Sequence, residues 1–148
     1  MDGLMKVHLI EREGVKMAER LVRMGKVSSI DYENGMVSVT YPDLDDSTTD
    51  LFPVFSMADE YKMPGIGQDV LVLHLSSGQA SGIVMGKYWN EDNAPIMSGK
   101  GKYRKELGEL PGEAYIQYEA GDITFHDQSG TMTLGDIIAG LKAAGNQE

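Results

Sequence analysis

The stretch GKVSSIDYENGMVSVTYP, residues 25–42, decides the fold. Val37, Val39 and Tyr41 alternate with Ser38 and Thr40, the period of two that sends successive side chains to opposite faces of a strand. The turn Glu33-Asn34-Gly35 precedes them, and an Asn-Gly pair between such runs is the strongest short hairpin signal because both residues tolerate positive φ. Pro42 has no amide hydrogen for a ladder and ends the second strand. Residues 25–31 and 36–41 therefore read as a β-hairpin.

Reading outward, the acidic run Asp43, Asp45, Asp46 and Asp50 forms a solvated loop. Residues 50–55 follow as a short strand. Pro64-Gly65-Ile66-Gly67 marks a turn before residues 69–75, a nearly continuous apolar run with the look of a buried strand. Gly78 punctuates another turn, and residues 82–88 supply a fifth strand. Five short strands with one longer connection fit a small closed barrel of the OB type better than a sandwich, which needs about seven. The expected fold is mainly β, with this barrel over residues 25–98 after an N-terminal helical or extended arm over residues 1–24. In that arm Val15, Ala18, Leu21 and Val22 recur at helical spacing and predict a helix over residues 13–23.

Residues 99–112 show no sustained periodicity and read as a linker. Beyond it, residues 115–118 and 123–126 alternate as short strands around Ala120-Gly121-Asp122, and a turn at residues 127–130 leads into residues 131–134. The last segment has Thr133 as a helix N-cap, Asp136 in the first turn, and Leu134, Ile137, Ile138 and Leu141 at i, i+3, i+4 and i+7. Three short strands and one amphipathic helix hold too little apolar surface to be stable alone. Self-association about a symmetry axis is the economical way to bury them. Residues 113–134 are thus expected to form a self-associating β segment, and residues 135–148 a C-terminal helix and tail.

Composition narrows the function. A formal net charge of −10, from 13 Lys+Arg against 23 Asp+Glu, repels a phosphate backbone and argues against free nucleic acid as a partner. There is no cysteine, hence no disulfide and no thiolate metal site. No apolar run approaches the length of a membrane span and no secretory signal is read at the start, so a chain made in a cytoplasm is expected.

The chemistry-bearing residues form no catalytic pattern. His8, His74 and His126 lie far apart, without metal-ligand spacing, although three copies of His126 meeting on a threefold axis would supply ligands that one chain lacks. The loop at Asp43, Asp45 and Asp46 starts like a calcium loop, but Thr48 stands where its glycine belongs and Val54 where its bidentate glutamate belongs. Residues 82–87 are one residue short of a phosphate loop, and Ser81 misses the nucleophile elbow. No cofactor, metal or catalytic residue is expected. Two carboxylates, Glu106 and Glu109, are the pair that a cell-wall hydrolase reading would have to use.

The stretch from Arg20 to Ser98 resembles the OB-fold domain of baseplate assembly protein V, the central spike family of contractile-tailed phages. The resemblance rests on Arg23-Met24-Gly25-Lys26-Val27, Asp31 with Asn34-Gly35, Val37-Ser38-Val39, and Leu51-Phe52-Pro53-Val54. It continues through PGIGQDVLV (64–72) and GIVMGKYWN (82–90), in order. It implies a homotrimer whose OB domains form a collar under the tail tube and whose C-terminal segments wind into an intertwined β-helix or prism. Ile116, Tyr118, Ile123 and Phe125 would line its interior, and Leu134, Ile137, Ile138 and Leu141 would form a three-helix plug or docking surface. The implied partners are baseplate hub and tail-tube proteins, with the host envelope met on firing. The implied location is the virion tail baseplate, assembled in the host cytoplasm. The His-x-His motif by which longer members bind iron at a sharp apex is missing here, which points to a separate tip protein or a blunt connector. The competing reading is an OB-fold module binding nucleic acid or carbohydrate.

Overall fold

A computed structural model describes residues 21–75 and 81–146. The helix expected over residues 13–23 falls outside these residues except at its end, and so does the turn at Gly78. The chain divides into two compact units at Tyr88/Trp89, where the sequence reading carried the barrel on to residue 98.

In the first unit β1 (Val22–Asp31) pairs with β2 (Met36–Tyr41), as the hairpin pattern predicts. The first half of β1 pairs instead with β5 (Asp69–His74), where Val22 faces Leu73 and Lys26 faces Asp69. Residues 22 and 23, read as the end of a helix, are therefore strand: pairing with Leu73 and Val72, about 50 residues away, overrides their local helical spacing. A register shift between Val27 and Ser29 bends β1 as it passes from one partner to the other. The acidic loop contains a two-residue strand, β3 (Ser47–Thr48), against the end of β2, with the Thr40 and Thr48 hydroxyls 2.8 Å apart. The strand expected over residues 50–55 is shorter, β4 (Phe52–Pro53), and β6 (Gly82–Gly86) completes the set.

β6 pairs with β5, and Val54 makes a parallel bridge to Val84, with the Phe55 amide donating to the Val84 carbonyl at 2.8 Å. The pairing thus runs β1-β2-β4-β6-β5 and back to β1. Inside this ring lie Val27, Val37, Val39, Tyr41, Phe52, Val70, Val72 and Val84, all buried. Five of these positions alternate along β2 and β5 as the sequence pattern requires. β-Branched valine suits so narrow an interior because it packs on a pleated surface with little rotamer freedom to lose.

Two glycines let the walls approach. A Cβ on Gly25 would stand 2.5 Å from Val39 Cγ1 and 2.8 Å from the Thr40 carbonyl oxygen, and one on Gly82 would stand 2.8 Å from the Phe52 ring. Gly35 closes the hairpin at φ 64°, while the Asp31 carboxylate accepts from the Asn34 amide and side chain. Those two bonds hold the Asp31 pKa below the ordinary carboxylate value.

One polar pair enters the barrel. The Tyr41 hydroxyl and His74 Nε2 are 2.6 Å apart, and Phe52 meets the imidazole edge-on at 5.5 Å between centroids. Burial pushes the Tyr41 hydroxyl up to about 12. Burial, and then the charge of Arg23, push the His74 pKa down. Protonation would also place a hydrogen on buried Nδ1, which has no hydrogen-bond partner among the described residues.

The second unit is a meander of β7 (Tyr103–Glu106), β8 (Tyr115–Glu119), β9 (Asp122–Asp127) and β10 (Gly130–Thr133), in spatial order β10-β9-β8-β7, all antiparallel. β7 lies within the stretch read as a linker. The β8–β9 turn has positive φ at both Ala120 and Gly121, the geometry whose twist matches a tight hairpin. In the β9–β10 turn the Asp127 carboxylate accepts from the Ser129 amide and hydroxyl, which lowers its pKa. Helix α1 (Leu134–Gly145) begins at the expected cap: Thr133 accepts from the Asp136 amide, and Asp136 accepts from the Thr133 amide. No described helix is long and apolar enough to cross a membrane.

Gly25→Ala and Gly82→Ala should each destabilise the barrel by about 1–3 kcal/mol, the usual cost of overpacking, as read by chemical denaturation. A second expectation concerns pH. The unfolded His74 imidazole titrates near ~6.5 and the folded one lower, so its contribution to stability is whole above that pH and is lost as pH falls toward the folded value. The melting midpoint should drop between about pH 7.5 and about pH 5.5, and His74→Gln should flatten that part of the profile.

Candidate assembly interface

The strand register sorts the second unit's side chains onto two chemically different faces. Lys105, Ile116, Phe125 and Met132 are direct cross-strand neighbours, and so are Tyr103, Tyr118 and Ile123. Because side chains alternate along a strand, both rows share one face. Ile116, Tyr118, Ile123 and Phe125, the residues singled out in the sequence, thus lie together. The structure adds Tyr103, Lys105 and Met132 to them.

Among the described residues no complete layer covers this face. Tyr118 is 43% exposed, Phe125 38%, Met132 52% and Tyr103 60%. No described residue from 89 onward is buried, and every buried hydrophobic residue belongs to the barrel unit. Helix α1 lies against β9 and β10, yet Leu134, Ile138 and Leu141 remain exposed and only Ile137 of its apolar stripe is half-buried. Ile137 shares a groove of about 680 Å³ with Leu107, Ala114, Ile116, Phe125 and Met132. The eight residues predicted for an interface therefore form one sheet face and one helix stripe, largely open to solvent.

The opposite face carries a ladder of polar and aromatic contacts that crosses all four strands. The Thr131 hydroxyl is 2.6 Å from His126 Nδ1, the His126 ring stacks on Tyr115 at 4.8 Å, and the Arg104 guanidinium lies 3.6 Å from the Tyr115 ring centroid. Arg104 also donates to Glu106 at 2.6 Å and to Gln117 at 2.8 Å, and Lys102 pairs with Glu119 at 2.6 Å. With a cation on the ring face and both carboxylate and amide acceptors in plane, Arg104 is the joint between β7 and β8.

This arrangement bears on the residues singled out for chemistry. His126 sits on the polar face, opposite Ile116 and Phe125, so an axis lined by the apolar residues would not bring three imidazoles together. Among the described residues no group of three or more His, Asp or Glu side chains is arranged to hold a metal ion. Glu106 accepts from Arg104 and from the Gly112 amide at 2.9 Å, so its carboxylate ties down the loop between β7 and β8. Asp43 forms an ion pair with Arg23 at 3.6 Å. The Ser81 carbonyl accepts from the Leu75 amide beside the end of β5.

Compared with protein-family models and with curated proteins, the chain matches none.

Removing the Arg104 head group strands two acceptors on a half-buried face. Arg104→Ala should cost about 1–3 kcal/mol, the range for hydrogen bonds to a charged group, and should speed hydrogen exchange of the amides in β7 and β8. Arg104→Lys, which cannot make the fork, should fall between.

Proposed function

We propose that this chain is a structural, non-enzymatic central spike subunit of a contractile phage tail, or of a related injection machine, and that it works as a homotrimer. The observation that carries this reading is the two-faced sheet of the second unit, whose apolar side and neighbouring helix stripe are left largely open among the described residues. In a trimer the rows Ile116–Phe125–Met132 and Tyr103–Tyr118–Ile123 face the axis, while the Arg104 ladder faces solvent. Leu134, Ile137, Ile138 and Leu141 then serve as a three-helix plug or as a docking surface for a neighbouring protein.

The strand order of the first unit supports the same reading. A ring of β1-β2-β4-β6-β5 closed by a parallel bridge at the third and fifth principal strands is the pairing expected of a five-stranded OB barrel, and residues 20–98 carry the sequence resemblance to the spike family's OB domain. Such a spike needs no catalytic group: sheath contraction supplies the work, and the subunit must resist axial load while closing the tube. Inter-chain strand pairing gives that rigidity because it removes free sheet edges. The charge of −10 keeps clustered copies soluble and complements basic surfaces on hub or tube partners.

Light scattering after size exclusion tests this directly. A mass near three times 16.2 kDa that persists on dilution is expected. Ile116→Asp/Phe125→Asp should convert it to a monomer whose barrel still unfolds cooperatively. A wild-type monomer would overturn the spike reading and leave the OB ligand-binding module as the one to pursue.

A further inference from the structure

The two ends of the second unit's sheet are unlike. β7 is one edge and β10 the other, and an edge strand presents a row of backbone donors and acceptors to whatever lies beside it. The β7 edge is basic: Lys100, Lys102, Arg104 and Lys105 fall within six residues. β10, Gly130-Thr131-Met132-Thr133, carries no charge and is flanked by Asp127 and Asp136. Both edge strands are four residues long.

We infer that copies of the chain join edge to edge, β10 of one copy hydrogen-bonding to β7 of the next around the ring. This deepens the spike reading and rests on it. Three antiparallel pairings separate β7 from β10, so the two edges run in opposite directions. A rotation about an axis along the strands leaves directions unchanged, and β10 therefore meets the neighbour's β7 antiparallel, continuing the pattern already present within each sheet. The same rotation keeps the apolar face inward, so Met132 falls beside Lys105 or Tyr103 of the next copy, and Thr131 and Thr133 fall on the side of Arg104 and Glu106. Charge disfavours the alternative: pairing β7 with its own copy would set either Arg104 or Lys105 directly against the same residue of the neighbour. The head-to-tail joint instead brings Asp136, three residues past β10, toward Lys100 and Lys102 of the next copy. Closure of three such sheets leaves no edge and encloses both apolar rows.

Cysteine cross-linking reads this joint, and the chain contains no cysteine of its own. Lys105→Cys/Met132→Cys and Tyr103→Cys/Met132→Cys cover the two registers that keep the faces matched. Within one chain these positions are three strand spacings apart, about 14 Å, well beyond the ~6 Å that a disulfide spans, so any bond must link two copies. Under mild oxidation one double variant should yield covalent dimers and trimers on a denaturing gel, and the three single variants should yield none. Cross-linking of a single variant would overturn the head-to-tail joint in favour of like edges. A particle of three copies in which neither double variant cross-links would also overturn it, leaving the trimer intact but held by other surfaces. A protein monomeric by light scattering would refute the spike reading itself, a failure distinct from these.

Discussion

A sheet with one apolar face is stable only against a second layer, and among the described residues the second unit has no complete one: helix α1 lies against β9 and β10 but leaves the apolar face exposed. Its four strands put Tyr103, Ile116, Tyr118, Ile123, Phe125 and Met132 on one side, and none is buried. Burying an aromatic or large aliphatic side chain is worth about 1.5–3 kcal/mol relative to leaving it exposed. Leaving six of them partly in water forfeits a share of that at each position, a sum that matters against the roughly 5–15 kcal/mol that hold a small domain together. The remaining features of the unit follow from that deficit. The polar face is cross-linked by the Arg104 ladder, and the helix is held at its start by a reciprocal cap, so that a layer without a core still keeps its shape.

The barrel unit shows the contrasting solution. Its strands bend at the Val27/Ser29 irregularity and close through Val54 and Val84, so the sheet supplies its own second layer and every wall faces another wall. Eight buried hydrophobic side chains among the described residues suffice because the interior is narrow, and the fit is tight enough that Gly25 and Gly82 have no room for a methyl group. One chain therefore combines a part that satisfies its burial alone with a part that does not.

The hairpin at residues 25–41 and the capped helix at Thr133 were legible because their signals are local: a period of two, an Asn-Gly turn, and a side chain within reach of its own backbone. β3 and β7 were not. Ser47–Thr48 sits in an acidic run whose composition says loop, and it is a strand through its bridge to β2. Tyr103–Glu106 reads Tyr-Arg-Lys-Glu, in which the apolar alternation is masked by Lys105 on the apolar side. Its strand character comes from Arg104 and Glu106, which find partners on β8 and in the next loop. The start of β1 was misread for the same reason, since β5 lies far away in sequence. Among the interface residues, Ile116, Tyr118, Ile123 and Phe125 share a face because strand alternation alone requires it. Which further residues join them depended on the register of β7 and β10, which no single segment encodes.

That register also separates two roles that the sequence left entangled. Tyr115 and His126 look like natural companions of Tyr118 and Phe125, since all four are aromatic residues of the same two strands. They point the other way and spend their rings on Arg104 and on each other. An aromatic stack beneath a guanidinium stiffens the joint between strands and keeps Arg104 off the apolar face, where Lys105 and, at the end of β9, Asp127 are the charged residues. A strand that must present grease to one side and resist shear on the other has few ways to do both. Alternating Ile and Phe with Tyr and His across paired strands is one that needs only the pleat.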